Sequence, residues 1–140
     1  MDATRNGLAA LTLFVEDLGS VTGFYRDVLG LQMLFDDEDS SVFGLAGTML
    51  NVLAVDAAAE VIAPADAAPI GASAQMMLSL FVEDVDATCA DLRERGVALL
   101  NGPVDRPWGK RTAAFTDPAG TVWEIAQDIP NGAGHEVDGA

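Results

Sequence analysis

One cysteine, Cys89, in 140 residues excludes an intrachain disulfide and any cysteine-based metal cluster. It falls in a helical pattern, four residues after Val85 and three before Leu92, and reads as packing. Basic residues are scarce: seven Lys and Arg, of which only Lys110 is a lysine, face twenty-two Asp and Glu, for a formal net charge of −15. That field repels phosphate backbones and anionic lipid, so no nucleic acid and no membrane are expected as partners. The excess acid is read first as a solubility device, ahead of a surface for a cationic ligand, and the shortage of lysine beside abundant Ala as compositional bias. The only histidine, His135, lies in a Gly-rich tail and reads as solvated. Half of the residues are hydrophobic, yet no run approaches the roughly twenty apolar residues of a membrane span. The first residues, Met1-Asp-Ala-Thr-Arg-Asn-Gly7, lack the basic region and apolar stretch of a secretory signal. A soluble, cytoplasmic protein is expected.

What is present is a repeat. Leu11-Thr-Leu-Phe-Val-Glu-Asp-Leu18 returns as Leu78-Ser-Leu-Phe-Val-Glu-Asp-Val85, 67 residues on. A second echo pairs Gly47-Thr-Met-Leu-Asn-Val52 with Gly120-Thr-Val-Trp-Glu-Ile125, 73 residues on. The chain reads as one structural unit written twice, and a duplicated module of this kind tends to place its site at the seam between copies. The length suits a single domain or two small halves sharing a core.

The spacing predicts the same order in each copy. A strand over 11–15 ends at Glu16-Asp17, where Asp17 caps a helix over 18–29 with Phe24, Tyr25, Val28 and Leu29 on its apolar stripe, and Gly30 stops it. Strands are expected over 31–35, 41–45 and 48–55, with the acidic turn Asp36-Asp-Glu-Asp39 between the first two. In the second copy a strand over 76–82 precedes Asp84 as cap, a helix over 85–95, Gly96 as stop, and strands near 97–100, 111–116 and 121–127. The expected boundaries are a first βαβββ module over 1–55, an Ala/Pro-rich linker over 56–74, a second module over 75–128 and a mobile tail over 129–140.

A pair of βαβββ units carrying Phe24-Tyr-Arg-Asp-Val-Leu-Gly-Leu31 and Phe115-Thr-Asp-Pro-Ala-Gly-Thr-Val-Trp-Glu124 resembles the vicinal oxygen chelate superfamily over about residues 8 to 128. That superfamily includes glyoxalases, extradiol dioxygenases, fosfomycin-modifying enzymes and bleomycin-resistance proteins. The resemblance implies an α+β fold of two tandem βαβββ modules forming cupped half-barrel sheets. It also implies a homodimer, as is common in the family. In metal-dependent members one His, Gln or Glu ligand comes from the first strand and one from the last strand of each half. Those positions fall here on Ala10 and Met77, and on Asn51 and Glu124, which the internal repeat also pairs. A divalent site generally takes three or four N/O donors, and this set supplies one carboxylate and one amide. Among same-face neighbours (Leu8, Thr12, Gln75, Ser79, Met49, Leu53, Val122 and Ala126) only Gln75 adds a ligand type. No metal and no cofactor are expected.

Without a metal, the resemblance points to the bleomycin-resistance branch: a binding protein that sequesters an apolar or aromatic small molecule, such as an antibiotic or secondary metabolite. Thr12, Asn51, Met77 and Glu124 are the candidate facing residues, and Asn51 with Glu124 would form a polar floor in an apolar cup. Trp108, between Pro107 and Gly109, offers a ring for stacking, or else caps the barrel edge or a dimer interface. Its Trp-Gly-x-Arg setting also resembles bleomycin-resistance proteins. Arg111 pairs with a ligand carboxylate or with Glu124, or else makes an ordinary surface ion pair. Trp123, alternating with Glu124, is expected in the core against the helix. Met33, Met49 and Met76 read as core filler. Glu124 buried without a cation would favour its neutral form and could act as a general acid or base. Two rival readings therefore stand beside binding: a metal-dependent lyase, isomerase or dioxygenase, and a metal-free proton-transfer enzyme using Glu124.

Overall fold

Each of the two repeats builds a four-stranded mixed sheet with one helix packed on one face. The computed structural model describes residues 7–69, 74 and 76–130, and the chain divides into two compact units, Met1–Ala72 and Ser73–Ala140. Gln75, which adds a ligand type, and the tail from residue 131 on, with the histidine His135, lie outside the described residues.

In the first unit β1 (Ala10–Val15) leads into α1 (Leu18–Gly23), followed by β2 (Gln32–Asp36), β3 (Ser40–Leu45) and β4 (Thr48–Ala54). The strand order is β1-β4-β3-β2, with β1 parallel to β4 and the other pairs antiparallel. A strand whose neighbours cover one face alternates in burial, and β1 does so: Leu13 and Val15 are buried while Thr12 is exposed. Asp17 caps α1 as expected, its Oδ1 accepting from the Ser20 backbone N–H at 3.1 Å.

The expected single α-helix over 18–29 instead passes at Phe24 into a π-helical turn, Phe24–Val28, in which the Leu29 N–H donates to the Phe24 carbonyl. The wider turn reduces the angular step between neighbours, so the adjacent rings of Phe24 and Tyr25 are both buried. Tyr25 lies 5.9 Å from Phe43 of β3, in a core completed by Val21, Leu50 and Val52.

After β4 a 3₁₀ turn, Val55–Ala57, and a short helix, α2 (Ala59–Ile62), occupy part of the segment expected as a linker.

The second unit repeats the plan: β5 (Met77–Phe81), α3 (Val85–Glu94), β6 (Leu99–Asp105), β7 (Lys110–Thr116) and β8 (Val122–Asp128), in the order β5-β8-β7-β6. Asp84 caps α3 by accepting from the Ala87 N–H at 3.0 Å. Val85, Cys89 and Leu92, one helical face, are buried in the same core as Phe115, Trp123 and Ile125. Cys89 is packing, as its spacing implied, and burial pushes its thiol above the ordinary value. β6 extends well past the expected end near residue 100, because two register shifts against β7 let the strand continue through Gly102 and Pro103. Among the described residues no helix is long and apolar enough to cross a membrane.

Candidate ligand site

The face of the first sheet turned away from α1 carries the first candidate site. Register assembles it in two rows: Thr12, Asn51, Val42 and Phe35 lie side by side across β1, β4, β3 and β2, and Phe14, Leu53 and Ser40 form the next row. Phe35 reaches this face only because the β2–β3 register slips between Met33 and Phe35; without the extra residue it would share the face of Met33. Val61 and Ile62 of α2 complete the lining of a cavity of about 450 Å3. Segment 56–74 therefore supplies cavity wall as well as connection. The lining is mainly apolar, and its polar centre is one bond: the Asn51 Nδ2–H donates to Thr12 Oγ1 at 3.3 Å. One N–H and the carbonyl of the Asn51 amide remain to offer a ligand.

In the second unit the equivalent pair is Ser79 and Glu124, neighbours on β5 and β8, with the Ser79 hydroxyl donating to Glu124 Oε1 at 2.9 Å. The carried-over first-strand positions, Ala10 and Met77, lie two residues before Thr12 and Ser79 and on the same faces. Ala10 pairs with Met49 and Met77 with Val122, while Thr12 and Ser79 stand opposite Asn51 and Glu124. Parallel register sets this, and no local pattern in either strand encodes it. Met77 is 51% exposed and shares the Ser79 face. Trp123 is buried on the α3 side, as its alternation implied.

Arg111 does not join Glu124. β7 and β8 pair it with Gln127, on the α3 face, where it binds Asp86 and Asp105, each at 2.9 Å. Those two hydrogen bonds raise the guanidinium above its ordinary pKa. Of the two roles weighed for Arg111, the structure places it in an ion pair within its own unit. Trp108, 43% exposed, lies in the turn between β6 and β7, with the Arg106 guanidinium 5.8 Å from its ring centre. Arg106 and the α2 residues Val61 and Ile62 belong to no motif or repeat that marks them in the sequence.

The donor chemistry does not fit a catalytic divalent metal. The carried-over positions hold Ala10, Asn51, Met77 and Glu124, and the strand neighbours Thr12 and Ser79 add only hydroxyls, so the set offers one carboxylate and one amide with no imidazole. Among the described residues no three His, Cys, Asp or Glu side chains converge.

A family model, the Glyoxalase/Bleomycin resistance protein/Dioxygenase superfamily, matches residues 7–125. Protein YraH of Bacillus subtilis (strain 168) is 34% identical over 122 residues, covering 84% of this chain and 95% of YraH. Among solved structures, a glyoxalase/bleomycin resistance protein/dioxygenase from Nocardioides superposes with a TM-score of 0.82 at 23% identity, covering 95% of this chain and 90% of that one. TnmS3, an antibiotic binding protein from Streptomyces sp. CB03234, superposes with a TM-score of 0.67 at 30% identity, over 89% and 97% of the two chains.

Proposed function

We propose that this chain, which belongs to the Glyoxalase/Bleomycin resistance protein/Dioxygenase superfamily, is a metal-independent binding protein that sequesters a flat apolar or aromatic small molecule of the antibiotic or secondary-metabolite type. The observation that carries this reading is the first-unit cavity. Its roughly 450 Å3 falls within the usual range for small-molecule sites, and it combines Phe14, Phe35, Val42, Leu53, Val61 and Ile62 with Ser40 and the hydrogen-bonded pair Thr12 and Asn51. The likeness to TnmS3, named for antibiotic binding, supports the ligand class.

Glu124 does not line that cavity, and it is read as a polar group of its own sheet in preference to a general acid or base. It is only half-buried and already accepts from Ser79, whereas a carboxyl tuned for proton transfer is generally shielded from water. The protein acts as a homodimer in this reading, and a monomer in light scattering at micromolar concentration refutes that part.

The anthraquinone emodin, a planar secondary metabolite, serves as the probe in titration calorimetry. Saturable binding is expected. Val61→Asp sets a charge against the bound ring and is expected to weaken it by about tenfold or more, as burying an unpaired carboxylate costs well over 1 kcal/mol. Equal affinity in wild type and variant, or no binding by the wild type, overturns the cavity as the site.

A further inference from the structure

We propose a second binding site, wholly within the second unit, in which Arg106 receives the carboxylate of an aromatic acid whose ring stacks on Trp108. Arg106 is half-buried and held in place by neutral acceptors. Its Nε–H donates to Thr112 Oγ1 at 3.0 Å and an Nη2–H to Asn101 Oδ1 at 3.3 Å. These leave three of the five guanidinium N–H donors for a ligand, in a planar fork that matches a carboxylate.

The surrounding charges make this arrangement unusual. In a chain of net charge −15, Arg26, Arg95, Lys110 and Arg111 each pair with a carboxylate, whereas among the described residues Arg93, exposed on α3, and the half-buried Arg106 make no ion pair. Asp105, the neighbour of Arg106 in the chain, is engaged by Arg111, Asp128 by Lys110 opposite it across the strands, and Glu124, two strands from Asn101, by the Ser79 hydroxyl. A half-buried guanidinium fixed by two hydrogen bonds and left without a counter-ion is an anion receptor. Screening confines the repulsion of distant acids to within about 8 Å at physiological salt, so the local cation decides.

The backbone supports the same reading. β6 slips register against β7 twice, between Leu99 and Asn101 and again across Gly102–Pro103 between Asn101 and Val104, which brings Asn101 opposite Ala114 and Val104 opposite Thr112. Both then share the face of Glu124 and Ala126, their neighbours across β7. Gly102 makes this possible: at φ +85 its backbone passes so close to β7 that a Cβ would lie 2.4 Å from the Thr112 carbonyl oxygen. The bulge therefore aims Asn101, which in turn aims Arg106. Trp108, 43% exposed with Arg106 over its ring, presents uncovered indole to a second ring.

The probe is 2-naphthoate, with neutral 2-naphthamide as its isostere. Wild type is expected to bind the acid at least roughly tenfold more tightly than the amide, and Arg106→Gln to remove that preference. Arg106→Lys keeps the charge without the fork and should fall between them. In ¹⁵N spectra the acid should move the Arg106 Nε–H and Trp108 indole N–H signals and leave the Asn51 side-chain amide in place. Equal binding of acid and amide by wild type, no binding of the acid, or unchanged preference in Arg106→Gln overturns the proposal. So does movement confined to Asn51, which would assign the acid to the first-unit cavity. Failure of emodin to bind that cavity leaves the Arg106 site untouched, since the two rest on different units.

Discussion

Gly102→Ala should be far more damaging than an ordinary glycine substitution. An alanine at φ +85 carries the left-handed penalty of roughly 1–2 kcal/mol. Its methyl group would also sit 2.4 Å from the Thr112 carbonyl oxygen, 2.7 Å from Ala113 Cα and 2.9 Å from Ala113 Cβ. None of these is the far end of a flexible side chain, so β6 or β7 must move, adding overpacking strain of roughly 1–3 kcal/mol. The total is about 2–5 kcal/mol, a large part of the stability of a small domain. Gly96→Ala is the matched control: φ is +86, but no atom lies within 4 Å, so only the first penalty applies. Both tryptophans, Trp108 and Trp123, lie in the second unit with both glycines, so urea denaturation followed by tryptophan fluorescence reports on the right core. Gly102→Ala is expected to lose at least about 1 kcal/mol more than Gly96→Ala. Equal losses would refute the close approach of β6 to β7, and with it the account of how Asn101 is aimed.

Trp108→Ala should weaken 2-naphthoate by roughly tenfold if its ring stacks on the ligand, and unchanged affinity by calorimetry removes Trp108 from the site. Asp84→Ala should destabilise the second unit by about 1 kcal/mol in urea, since the side chain caps α3, with a loss under a few tenths contradicting that role. Asp37 accepts from the backbone N–H groups of Asp39 and Ser40, which lowers its pKa. Its stabilising contribution is thus present above the ordinary carboxylate range and lost as pH falls through the lowered value. A stability difference between wild type and Asp37→Asn that shrinks on acidification supports this, and one that grows refutes it. The Cys89 thiol, buried and raised by desolvation, should resist aqueous disulfide reagents until the protein is unfolded.

Much of this architecture is local in origin and therefore legible in the chain. The duplicated Leu-x-Leu-Phe-Val-Glu-Asp segment announced two copies. Asp17 and Asp84 marked helix starts, Gly96 marked a stop, and the alternation of Trp123 with Glu124 assigned one to the core, because each signal rests on neighbours a few residues apart. Asn51 and Glu124 were found as equivalents by the repeat itself. The partners of those residues were not local. Parallel register alone set Thr12 beside Asn51 and Ser79 beside Glu124 as hydrogen-bond partners, which no motif names. A slip in β2 turned Phe35 into the cavity, and a four-residue helix in the Ala-rich segment closed one wall with Val61 and Ile62. Charge pairing was likewise a tertiary decision: Asp86 and Asp105 converge on Arg111 from α3 and β6, while Arg106 is left with neutral partners. Caps, periods and repeats are written in adjacent residues. Register, bulges and the allocation of counter-ions depend on which distant segments meet, and only the folded chain decides that.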